Sequence, residues 1–124
     1  MARLRPRLVL ATSLALASLT LAGCGAGDAV AQARTACTYV HRALVLQHKS
    51  ELPGVSAAQR DRLQSRAMGE LLAGTKYAAA ATSADGRWNA LMTQINEAER
   101  VSLDQLAPSL KRLCRVANSS TPYL

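Results

Sequence analysis

Phenylalanine is missing from this 124-residue chain, and its only aromatic residues are Tyr39, Tyr77, Trp88 and Tyr123. So few rings give no series of stacking platforms for bases, which argues against nucleic-acid binding despite a formal net charge of +7. Histidine is nearly as scarce. His41 and His48 stand seven positions apart, about 10.5 Å along a helix axis, too far to share one metal ion. The three cysteines include no CxxC pair, which argues against a metal site. No Gly-rich phosphate loop occurs, and no nucleophile elbow surrounds any serine. Glu97 and Glu99 point to different helix faces, which argues against a carboxylate dyad. Nowhere do apolar and polar residues alternate long enough for a strand. The length excludes a two-domain enzyme, and an apolar fraction of 49% excludes a disordered tail. The expectation is a small helical domain that is not an enzyme and needs no cofactor.

What is present begins with an export signal. Arg3, Arg5 and Arg7 open the chain, and an apolar and small-residue run follows from Leu8 to about Ala22. A charged opening, a short apolar run and small residues at its end describe a secretory signal over residues 1–23. A run of about 15 residues is too short to cross a bilayer core, which takes about 20. No adjacent Arg-Arg pair occurs, which argues against twin-arginine export. Without this segment the chain keeps 12 basic and 8 acidic groups, a net of +4, and 19 alanines.

The run ends in Leu21-Ala22-Gly23-Cys24, which resembles the lipobox of bacterial lipoproteins. The resemblance covers the first 24 residues and implies cleavage before Cys24 and acylation of its thiol. Two acyl chains anchor stably where one binds only marginally. The Arg- and Ala-rich remainder is similar in composition to small lipoproteins of high-GC Gram-positive bacteria. The implied location is the outer face of the cell membrane, held by lipid, with residues 24–29 as lipidated Cys and short tether.

With Cys24 assigned to lipid, Cys37 and Cys114 form an even pair in an oxidising compartment. A disulfide closing that loop should restrict the unfolded chain by about 4 kcal/mol in the entropic model. An Ala-dominated core makes this a large share of total stability.

The fold expected is all-α, a three- to four-helix antiparallel bundle over residues 30–117, followed by a loose tail at 118–124. Val30, Ala33, Cys37, Val40 and Leu44 repeat at 3, 4, 3, 4 behind Asp28 as N-cap, and so define one helix face. Pro53-Gly54 breaks the chain, and Ser56 with Gln59 reads as a capping box. The next helix is expected to bury Leu63, Ala67, Met68, Leu71 and Leu72, and Thr82 to Gly86 reads as a turn. Trp88, Leu91, Met92, Ile95 and Ala98 share a face, and Leu103, Leu106, Leu110, Leu113 and Ala117 repeat the pattern. Ser102 with Gln105 could start a separate helix, but the reading preferred is one long helix from 87 to 117, kinked near Asp104 by Pro108.

Two candidate surfaces emerge. Arg60, Arg62 and Arg66 form a basic cluster that reads first as a solvated face and second as a contact for anionic lipid headgroups. Lys111, Arg112 and Arg115 form another cluster, suited by charge to a helix C-terminus. Trp88 reads first as the main filler of the core; with Tyr77 and Met92 it could instead mark a ligand or partner patch, its pocket including Met68 and Leu72. Asn118-Ser119-Ser120 matches a glycosylation sequon by chance composition. The function expected is an interaction or structural module with the membrane and an envelope protein as partners. The alternative is a small-molecule or lipid-binding lipoprotein.

Overall fold

A computed structural model describes residues 26–122. The expectations for the signal segment and for Cys24 lie outside the described residues, as does Tyr123. Among the described residues the regular elements are helices: α1 (Ala26–Ser50), α2 (Ala57–Ala84), a 3₁₀ turn (Gly86–Trp88), α3 (Asn89–Glu97) and α4 (Leu103–Asn118). None is long and apolar enough to cross a membrane.

The row at Val30, Ala33, Cys37 and Val40 is buried as its spacing requires, with Leu44 half-buried. Asp28 lies in the first turn of α1 and His48 and Lys49 in the last, each sign matching the helix dipole. The helix starts earlier than the sequence suggests. Residues 26–29, expected as tether, form its first turn, and Ala29 is fully buried there. Asp28 is therefore inside the helix rather than its cap.

Gly54 takes a φ of 83° in the turn after α1, a conformation that strains residues with a Cβ. The capping box then forms as expected: the Gln59 amide donates to Ser56 Oγ at 3.2 Å, and the Ser56 amide donates to Gln59 Oε1 at 3.2 Å. Along α2 the buried residues are Ala67, Leu71, Gly74, Ala78 and Ala81, again at 4, 3, 4, 3. Leu72, expected in the core, is 45% exposed, and Leu63 is only half-buried. Adjacent helical positions lie about 100° apart, so Leu71 and Leu72 cannot both face α1.

Small residues let the α1–α2 hairpin close tightly. A Cβ placed on Gly74 would lie 3.1 Å from Tyr39 Cβ and 3.4 Å from the Ala36 carbonyl. Across this seam Arg60 Nε donates to the Ser50 carbonyl at 3.3 Å, and Arg42 faces Glu70 at 3.9 Å. The order of these contacts makes the pair antiparallel.

α2 continues through Thr82 and Ser83, past the expected start of the turn. Thr82 stays helical by donating its hydroxyl to the Ala78 carbonyl at 2.9 Å. Asp85 reverses the chain instead, accepting the Arg87 amide on Oδ1 at 3.0 Å. That hydrogen bond and the Arg87 guanidinium hold the Asp85 carboxyl below its ordinary 3.8, the side-chain bond contributing most.

The single kinked helix expected from 87 to 117 is two helices. The chain turns through residues 98–101, and Ser102, with extended backbone, precedes α4. Ser102 occupies the N-cap position without a side-chain capping bond. Pro108 is accommodated inside α4. Geometry explains the split. The N-terminal end of α4 lies near Gln47, Gln64 and Met68, and its C-terminal end reaches Arg34. A straight helix from Trp88 would carry Cys114 about 39 Å along its axis, beyond reach of Cys37 midway along α1. The turn brings α4 back antiparallel to α1, completing an up-down-up-down bundle. Leu71, Leu91, Ile95 and Leu110 fill its centre.

Candidate functional site

The disulfide between Cys37 and Cys114 joins α1 to α4 with an S–S distance of 2.06 Å and Cα atoms 5.4 Å apart. It sets a register that places Arg34, Thr38 and His41 of α1 opposite Lys111, Arg115 and Asn118 of α4. Between them runs an open groove of about 620 Å³. Its apolar floor is Val40, Leu44 and the disulfide, and its rim carries Arg34, His41, Lys111 and Arg115, with no carboxylate.

Arg34 closes one end. Its Nε donates to the Ala117 carbonyl at 2.8 Å, and a terminal nitrogen donates to the Ser119 carbonyl at 3.1 Å. The last carbonyls of a helix lack intrahelical partners and carry its partial negative charge, so this guanidinium satisfies the one at Ala117 and sets a positive charge against the end of α4. The same contact fastens Ser119, and Asn118 belongs to α4, so the segment 118–124 expected to be a loose tail is ordered at its start. Arg60 plays the matching part at the end of α1 through Ser50.

The other candidates are distributed differently. Arg62 and Arg66 border a smaller hollow of about 360 Å³ with Val55, Gln59 and Leu63. This lies at the α1–α2 turn, about 36 Å along α1 from Ala26, and Arg60 is already engaged there. Trp88 is 4% exposed and belongs to the core. Tyr77 stacks on Tyr39, ring centroids 5.5 Å apart at 15°, with Arg42 over one ring and Lys76 over the other. Met92 and Met68 are half-buried against the core, while Leu72 faces outward. The pocket expected around Trp88 is therefore not assembled from these side chains. His48 is exposed near the end of α1, whereas His41 borders the groove. Among the described residues no group of three His, Cys, Asp or Glu could hold a metal ion.

No protein-family model, curated protein or solved structure matches the chain. The site is therefore read from its own residues. Sequence reasoning named Cys37, Cys114, Lys111 and Arg115 but did not assemble the groove. The signal was available: pairing the cysteines in antiparallel helices brings His41, four after Cys37, beside Lys111, three before Cys114, and Arg34, three before Cys37, beside Ala117, three after Cys114.

Proposed function

We propose that this protein is an exported lipoprotein, acylated at Cys24, whose helical bundle serves as a non-enzymatic interaction module at the outer face of the cell membrane. The observation that carries this reading is the division of cysteines. Cys37 and Cys114 are bonded to each other, which suits an oxidising compartment. That leaves Cys24, at the end of a lipobox-like tetrapeptide, as the one thiol for acylation.

Anchoring there has a geometric consequence. α1 begins two residues after Cys24, so in a bundle standing on the membrane the α1–α4 groove lies about midway up α1, nearer the anchored end than the α1–α2 turn. Arg62 and Arg66 lie at the far end, which favours the groove over that cluster as the membrane-side basic surface. Envelope partners would meet the exposed flanks of the bundle.

Replacing Cys24 with Ala should abolish metabolic acyl labelling and release the protein from the membrane fraction. Retention of both label and membrane association would overturn the assignment. Cross-linking in living cells should then capture a reproducible envelope partner for the wild-type protein.

A further inference from the structure

We propose that the α1–α4 groove binds a single-chain anionic amphiphile, its phosphate or carboxylate held by Lys111 and Arg115 and its acyl chain laid over Leu44 and the Cys114 side of the disulfide. The inference rests on the preceding reading only for the nearest source of such a molecule, membrane lipid.

Charge selects the head. Three guanidinium or ammonium groups and His41 border the groove, and no carboxylate offsets them. Arg34 is spent on the Ala117 and Ser119 carbonyls, where it masks the negative end of α4 that would otherwise repel an anion. Lys111 and Arg115 remain, one helical turn apart and exposed, and among the described residues neither makes an ion pair. A carboxylate or phosphate between them gains charge-assisted hydrogen bonds.

The floor selects the tail. Leu44 and Cys114, both half-buried, present the apolar surface that no further helix covers, with Val40 and Cys37 buried beneath them. An inorganic anion would leave that surface wet, and an uncharged hydrocarbon would leave the two cations unmatched. A volume of about 620 Å³ falls in the usual small-ligand range of about 300–1,000 Å³. The groove is lined by eleven residues, short of the roughly 20–30 per side of a standard protein interface. The disulfide and Arg34 also fix the separation of the two walls, so little ordering is left for binding to oppose.

The test is a titration of the full chain, in nanodiscs of zwitterionic phosphatidylcholine, with lysophosphatidylglycerol, followed by amide chemical shifts. Saturable shifts should appear at residues lining the groove. Affinity should fall about fivefold for Lys111→Gln or Arg115→Gln and about thirtyfold for both together. The Arg62→Gln/Arg66→Gln double variant removes the same charge elsewhere and should bind as the wild type does. Equal weakening by the two double variants would reduce the effect to net charge and overturn the site. So would equal affinity for an uncharged monoacylglycerol, for inorganic phosphate, or for an acidic peptide. Shifts in phosphatidylglycerol nanodiscs without added monomer would identify bilayer lipid as the source; shifts only with monomer would identify a free amphiphile. Loss of acylation is read from labelling at Cys24 and leaves this titration intact, so the two proposals fail separately.

Discussion

The two helix pairs of the bundle are held together by opposite means. In the α1–α2 hairpin the facing residues are mostly small: Ala29, Ala33, Ala36 and Ala43 against Ala67, Gly74, Ala78 and Ala81. Each buries little area, so the pair depends on length and on close backbone approach, which sums many weak dispersion contacts. In α3 and α4 the helices are short, and Trp88, Leu91, Ile95, Leu103, Leu106 and Leu110 supply bulk instead. A side chain of that size contributes about 1.5–3 kcal/mol on burial. Apart from Leu71 and Val40, the hairpin has little volume to lose, only room it does not have. The α3–α4 half has volume to lose.

That contrast can be broken in order of effect. Cutting the tie between the halves should cost most: Cys37→Ser with Cys114→Ser should remove about 4 kcal/mol, read as a lower denaturant midpoint than the oxidised wild type. Next, Leu110→Ala should cost about 3 kcal/mol by opening a cavity, and a midpoint shift under 1 kcal/mol would show that the α3–α4 half does not rely on bulk. The glycines of α2 give a smaller, signed comparison. Gly69→Ala meets nothing within 4 Å and should stabilise by up to about 1 kcal/mol through helix propensity. Gly74→Ala gains the same propensity but meets Tyr39 and Ala36, atoms fixed to α1, and should be net destabilising. Thermal melts of the two variants should move in opposite directions; two upward shifts would refute close packing at the seam.

The smallest effect is electrostatic and lies where the halves join. Asp85 has its folded carboxyl held below 3.8 by Arg87. A depressed carboxyl stabilises the fold above its unfolded value, and that contribution is lost as pH falls through the folded one. The stability difference between wild type and Asp85→Asn should therefore be constant at neutral pH and shrink in acid below 3.8. A difference that grows in acid would contradict the assigned sign.

Local pattern made much of this fold legible. The heptad-like row of α1, the Ser56–Gln59 box and the Pro53-Gly54 break are each written in a few neighbouring residues, and each appears where expected. The division of residues 87–117 was legible only as an alternative: Ser102 with Gln105 offered the start of α4, but Pro108 signals a disturbance, while the turn at 98–101 answers a distant demand, the return of Cys114 to Cys37. The choice of Leu71 over Leu72 likewise depends on the facing helix. Of the site, the bonded cysteines were readable from parity. The groove was not assembled, because it belongs to the register between two helices that are far apart in sequence.

The tie between Cys37 and Cys114 also determines how the chain bears load. A pull between Cys24 and Leu124 travels along residues 24–37, crosses the sulfur bridge and leaves along residues 114–124. The 76 residues between the cysteines form a ring outside that path. At about 3.5 Å per residue, the slack available to such a pull is about 80 Å rather than the roughly 350 Å of the same chain unbridged. A tethered molecule built this way can lose its first and last turns to tension while α2 and α3 carry none of it.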